Sequence, residues 1–176
     1  MRPNNVNVEG TMAFVEQAKH DPGVLKKQKR VEGIWSLDEG QPQFSATLDY
    51  PAGQRTLEAD LAPFMGGSGI APDPIQYCLY GLAACFAGTF VALAAADGVA
   101  LRSLRVIAEN NVDLTGPMGL GDKPVVDRVS LKLVLESDAD DARLRTLEQL
   151  ARERCPGVFC LTQPIPLTTS VERVTR

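Results

Sequence analysis

Residues 66–98 read GGSGIAPDPIQYCLYGLAACFAGTFVALAAADG, and the rest of the chain arranges itself around them. The stretch opens on a glycine turn and two prolines, runs from Tyr77 to Ala96 without a charge, and stops at Asp97-Gly98. Asp73 suits an N-cap, Pro74 suits the first helical position, and Gly98 suits the left-handed residue that follows a helix end. The spacing predicts one helix over residues 74–97, apolar on every face, with Cys85 near its middle. Such a helix lies in a domain centre or in a membrane. Its length reaches that of a bilayer span. However, the run is rich in Ala and Gly rather than Leu and Ile, no Lys or Arg flanks it closely, and its surroundings read as sheet. A buried central helix without membrane contact is the reading adopted.

Outward from that helix, both flanks read as strands. On the N-terminal side, residues 24–61 predict a three-stranded meander: Lys29 to Leu37, Phe44 to Tyr50, and Arg55 to Leu61. Asp38-Glu39-Gly40 and Pro51-Ala52-Gly53 form the turns. On the C-terminal side, Leu104 to Val112 and Val129 to Leu135 alternate as two strands joined by the Gly/Pro connection TGPMGLGDKP. Ser137-Asp138 predicts the cap of a second helix whose apolar face is Leu144, Leu147, Leu150 and Ala151. Pro166 to Val174 alternates as a final strand. The order is β-β-β-α-β-β-α-β, an α+β domain with antiparallel pairing over residues 24–176. Residues 1–23 form a polar arm with a short helix from Thr11 to His20.

The 176 residues suit one domain with a substantial core, and 44% hydrophobic against 23% charged residues is a globular balance. A net charge of −4 argues against a phosphate-tracking surface, so nucleic acid is not an expected partner. The N-terminal MRPNNVNVEG lacks the layout of a signal peptide, and four cysteines are too few for a disulfide scaffold. The expected compartment is the cytoplasm, with the thiols reduced.

Most catalytic readings fall away. The single histidine, His20, sits in the polar arm, which leaves no Cys-His hydrolase and no metal site, and no cofactor is expected. Gly66-Gly67-Ser68-Gly69 resembles a phosphate cradle, but no Lys-Ser/Thr follows, and Pro72-Asp73-Pro74 removes donors and adds negative charge. The cysteines remain. Cys78 and Cys85 lie on one helical face about 10 Å apart by helical rise, too far for a mutual disulfide. Cys78 reads as a small buried hydrophobe. Beside Cys85, Gly81 and Gly88 leave room for a second segment or a ligand, and Thr89 supplies a hydroxyl on the same face. Cys155 either ends the long helix or caps a short new turn that begins at Pro156, with Arg152 and Arg154 nearby favouring a thiolate. Cys160, in Val158-Phe159-Cys160-Leu161, reads as core.

Gly66-Gly67, Pro72-Asp73-Pro74, Leu82-Ala83-Ala84-Cys85-Phe86, Gly98-Val99, the strand from Val106 to Asp113 and Cys155-Pro156 together resemble the family of osmotically inducible protein C and the organic hydroperoxide resistance proteins (OsmC/Ohr). The resemblance spans about residues 30–174, and its most specific part pairs a helix-borne Ala-Ala-Cys with a distant Cys-Pro. It implies an intertwined α+β homodimer with its sites at the subunit interface. It also implies dithiol peroxidase chemistry on organic hydroperoxides, with Cys85 as the peroxidatic and Cys155 as the resolving thiol and an external dithiol as reductant. In the family, an Asn-Pro-Glu precedes the helix, and its Glu fixes an Arg that holds the thiolate. Here those positions are Asp73, Pro74 and Ile75, and Ser36 to Phe44 holds no Arg. Arg55 is the nearest substitute by sequence and Asp73 its possible partner. The second function consistent with the pattern is an OsmC-like protein that binds a small apolar or electrophilic ligand at the dimer interface without turning over peroxide.

Overall fold

The computed structural model describes residues 2–174. Its centre is helix α2, Pro74–Ala96. The sequence sets both ends: Asp73 accepts from the Ile75 N–H at 2.8 Å, the Gln76 side chain accepts from the Asp73 N–H at 2.9 Å, and Pro74 occupies the first position. At the other end Gly98 adopts φ 69°, and the Val99 N–H returns to the Ala94 carbonyl at 2.8 Å.

Three strands precede α2: β1 (Gly33–Trp35), β2 (Phe44–Tyr50) and β3 (Gly53–Ala59), paired antiparallel in the order β1-β2-β3. Two follow it, β4 (Leu101–Val112) and β5 (Val126–Ser137), a long antiparallel ribbon with Val106 opposite Leu133 and Leu104 opposite Leu135. Helix α3 (Asp141–Arg154) then packs on α2, and a short helix α4 (Pro156–Thr162) follows after one residue. Before the first sheet lies α1 (Val8–His20), whose preceding Asn4 side chain ties the chain start to the Val99 carbonyl and the Leu101 N–H.

The closed side of α2 holds the core. Leu82, Phe86, Phe90 and Ala94 recur every four residues, one per turn of a slowly drifting stripe, and are buried against Leu147, Ala151, Cys155 and Val158. Apolar residues of the ribbon, Leu131, Leu133 and Leu135 among them, complete the enclosure. The opposite side is uncovered: ideal side-chain positions at Gly81 and Gly88 meet nothing within 4 Å. α2 has mean hydropathy 1.9 over its most apolar window, enough with its length to cross a membrane by composition alone, and 28% of that window is buried in this chain.

Several expectations are corrected. The antiparallel strands form two separate sheets, β1-β2-β3 and β4-β5. The first strand shrinks from residues 29–37 to three residues, because only Gly33, Ile34 and Trp35 find partners on β2. The cap of α3 is Asp140, whose carboxylate accepts from the Arg143 N–H at 2.8 Å. Ser137 instead bonds the Ala100 carbonyl and the Ala139 N–H, and Asp138 pairs with Arg102. No strand forms over Pro166 to Val174; the segment is exposed throughout and joins neither sheet. Cys160 and Cys78 are exposed rather than core. In α4 the helical period turns Val158 inward and Cys160 outward.

Candidate active site

The two cysteines that are 70 positions apart in sequence meet where α2, α3 and α4 converge. α3 packs along α2 and ends at Arg154; Cys155 has extended backbone angles, serving as the C-cap of α3 and the N-cap position of α4. Both alternatives for Cys155 are therefore realised at once. Its thiol donates toward the Cys85 sulfur at 3.5 Å, and all four cysteines are free.

The pair is asymmetric. Cys155 is 1% exposed, enclosed by the core, whereas Cys85 is half-buried and opens onto a cleft of about 720 Å³. Ala84, Gly88, Ala92 and Leu93 of α2 line the cleft, Met12 and Val15 of α1 wall it, and Arg154 at the end of α3 also lines it. The reactive pair thus has one sulfur facing a largely apolar space and one held behind it.

Burial pushes the Cys85 thiol up from its ordinary value, because the charged form loses its water. One group opposes that: the backbone N–H of Gly157, whose positive end favours the thiolate. The Cys155 and Cys160 thiols raise it further. Gly157 is where it is for steric reasons as well. A Cβ there would lie 3.3 Å from Cys85 Cβ and 3.5 Å from its sulfur, so glycine lets α4 close on α2.

Of the other residues read from sequence, Thr89 lines the cleft, but its hydroxyl donates to the Cys85 carbonyl at 3.0 Å rather than to the sulfur. Asp73 is committed to the α2 cap, about 18 Å from Cys85 by helical rise. Arg55 is exposed on β3 opposite Leu48 and does not line the cleft. The chain therefore brings together Cys85, Cys155 and Thr89, and leaves Arg55 and Asp73 elsewhere. The sequence offered a signal for Gly157, the glycine after Cys-Pro, and for Arg154 as the neighbour of Cys155, but none for Met12 or Val15 in the wall of this cleft. No cluster of metal-ligating side chains occurs among the described residues.

A protein-family model described as OsmC-like protein matches residues 66–170. No curated protein matches the chain. Among solved structures, an OsmC-like protein from Mycoplasma pneumoniae aligns with a TM-score of 0.58 at 20% identity, covering 77% of this chain and 88% of its own. An organic hydroperoxide resistance protein OsmC from Legionella pneumophila aligns at 0.53 and 17% identity, covering 78% and 92%. An OsmC-like protein of unknown function from Vibrio cholerae aligns at 0.56 and 15% identity, covering 78% and 95%. At these identities the likeness is one of fold.

Proposed function

This chain belongs to the OsmC-like family, and from that premise we propose that it is a dithiol peroxidase that reduces organic hydroperoxides. The observation that carries the proposal is the pair itself: a partly accessible Cys85 sulfur on an apolar cleft, with a buried Cys155 sulfur 3.5 Å behind it. The Cys85 thiolate attacks one peroxide oxygen, the O–O bond breaks, and the departing alkoxide takes up a proton to leave as an alcohol. Cys85 is now a sulfenic acid. The Cys155 thiol condenses with it, releasing water and forming the Cys85–Cys155 disulfide before further oxidation. An external dithiol then reduces that disulfide by two exchanges. Free thiols and this reductant fit a cytoplasmic setting.

The active form in this proposal is a homodimer. Two features support it. The open side of α2 leaves apolar surface that nothing in one chain covers, Tyr80 included at 71% exposure. In addition, the β1–β3 sheet touches the remainder chiefly at its base, where Tyr77 donates to the Glu58 carbonyl, leaving Ile34 and Trp35 exposed.

One observation favours the second reading, a non-peroxidatic ligand-binding protein: the Cys85 thiol is raised by burial and accepts no hydrogen bond from a cationic side chain among the described residues. The experiment that separates the two treats reduced Cys155→Ser protein with one equivalent of cumene hydroperoxide in the presence of dimedone. The expected result is a dimedone adduct on Cys85 in the variant and a Cys85–Cys155 disulfide in the wild type, both read by mass. If Cys85 stays an unmodified thiol while peroxide persists, the binding reading replaces this one.

A further inference from the structure

The site holds a third thiol that the chemistry above leaves unused. Gly157 is the residue of α4 that meets Cys85, and Cys160 lies one turn further along that flank of the helix, about 5–6 Å on between side-chain positions. The Cys160 thiol is near enough to act on Cys85, whose own thiol it raises together with Cys155. The three sulfurs are graded by depth: Cys155 is enclosed by the core, Cys85 is half-buried, and Cys160 is exposed. Cys78, by contrast, is about 10 Å from Cys85 along α2 by helical rise. The helix that carries Cys160 is lightly held. It has seven residues, follows α3 after the extended Cys155, and buries Val158 alone, with Phe159 and Leu161 exposed on either side of Cys160. A helix of that length has little stability of its own, so α4 can turn about Cys155 without unpacking α3.

We propose that Cys160 is a relay thiol, which takes the disulfide over from the Cys85–Cys155 pair and presents it at the surface to the reductant. Its place in turnover rests on the peroxidase reading above; the pairing of Cys160 with Cys85 stands without it. The need follows from depth. Cys155 is out of reach of an incoming thiolate, and Cys85 opens onto a cleft sized for a small molecule rather than for a dithiol carried on a protein. The Cys160 thiolate attacks the Cys85 sulfur, the Cys85–Cys155 bond breaks, and a Cys85–Cys160 bond forms. Cys155 leaves as a thiolate and takes up the proton that Cys160 gave, so nothing is oxidised or reduced in this step. One thiolate of the external dithiol then attacks the exposed Cys160 sulfur and frees Cys85. The second thiol of that dithiol releases Cys160, and the external dithiol departs as the disulfide. The exchange requires α4 to turn until the Cα atoms of residues 85 and 160 lie within about 7 Å. It therefore follows the condensation with Cys155, whose sulfur is already 3.5 Å away.

The test oxidises the reduced protein with diamide, which joins neighbouring thiols without a peroxide, and maps the disulfides by peptide mass after blocking free thiols. Wild type should give Cys85–Cys155 with a smaller share of Cys85–Cys160. Cys155→Ser should give Cys85–Cys160 within one chain, and Cys155→Ser with Cys160→Ser should give neither. Should Cys155→Ser not fold, Cys155→Ala leaves no buried hydroxyl and gives the same reading. The diamide-oxidised wild type and Cys160→Ser proteins are then reduced by thioredoxin, a dithiol on a protein, and by dithiothreitol, which is small enough for the cleft. Loss of Cys160 should slow thioredoxin about tenfold and dithiothreitol less than about twofold, and Cys78→Ser should match wild type with both. The proposal is overturned if Cys155→Ser forms no Cys85–Cys160 bond, if that bond joins two chains on a non-reducing gel, or if Cys160→Ser is reduced by thioredoxin as fast as wild type. Because no arm uses a peroxide, a protein that passes all of them and ignores cumene hydroperoxide would keep the relay and sink the peroxidase reading alone.

Discussion

The two sides of α2 are built on opposite rules. One side carries Phe86 and Phe90, with large rings buried within the chain by α3 and the β4–β5 ribbon. The other carries Gly81, Ala84, Gly88 and Ala92, small residues with open space before them. Large side chains fill a space that the same chain defines; small ones keep a surface low, so that another body can come close. Cys85 sits at the boundary, its sulfur against Cys155 on the closed side and its opening on the other. The difference teaches that the chain completes its core alone but completes its site only in part.

The largest effect should come from the closed side. Phe90 is fully buried, so Phe90→Ala should cost about 3–5 kcal/mol of unfolding free energy, the lost transfer energy plus the cavity left behind. Urea unfolding measures it. Tyr80→Ala on the opposite side should cost under about 0.5 kcal/mol if the chain is monomeric, since an exposed residue loses little. A Tyr80→Ala loss that grows with dilution would instead show the open side buried against a second copy.

Gly81→Leu sharpens the same contrast. In one chain a Cβ at this position meets nothing within 4 Å, so a monomer should tolerate the change, within the roughly 0.5–1 kcal/mol gained by replacing a helical glycine. In a dimer packed through this side it should clash. The expected outcome is dissociation in sedimentation velocity, with the far-ultraviolet circular dichroism unchanged. An intact dimer would remove this side of α2 from the interface.

A smaller, pH-dependent effect belongs to the loop that leads into α2. Asp60 is buried, and its carboxylate accepts from the Ile70 and Ser68 N–H groups at 3.1 and 3.0 Å. Those donors, Ile70 first, hold it below its ordinary range. A carboxyl depressed in the folded state contributes stability above its unfolded value, near 4, and loses it as pH falls through the lower folded value. Asp60→Asn should therefore be less stable than wild type at neutral pH, with the gap closing in acid. A gap independent of pH would mean that shape, not charge, holds residues 66–70.

What the sequence revealed follows the same divide. β2 and the start of α2 were legible to the residue, because alternation and the Asp73-Pro74 cap are local signals that the fold does not overrule. The closed core was legible as period. The failures lie where a partner decides. Leu167, Thr169 and Val171 alternate like a strand, but a strand needs an edge to pair with, and these residues join neither sheet of this chain. The α3 cap was misplaced because Ser137, Asp138 and Asp140 are equally able caps, and only the packed fold shows that Ser137 still belongs to the β4–β5 ribbon and that Asp138 pairs with Arg102. At the site, Cys85 and Cys155 were legible from their motifs. The α1 wall was not, since its relation to Cys85 exists only once α1 is packed.

The smallest effect should come from the connection between β4 and β5. Residues 117–124 are exposed, with Leu120 at 79%, and the turn is held mainly by its own backbone bonds, Met118 N–H to Leu114, Gly119 to Gly116 and Leu120 to Thr115. One ion pair, Lys123 to Asp113 at 3.6 Å, ties it back, and both partners are exposed enough for that to count for little. Closing a loop depends weakly on its length, about 0.6 kcal/mol for each doubling, so removing residues 117–120 should change stability by under about 1 kcal/mol. The ribbon itself should survive, because its register is fixed by Leu104 opposite Leu135 and by the pairs that follow. Unfolding curves at two protein concentrations would decide what the loop touches. A small loss at both leaves it a free connection. A large loss that appears only where the protein would be dimeric places Met118 and Leu120 on the second subunit, and the loop then belongs to the open half of the comparison although it grows from the closed one.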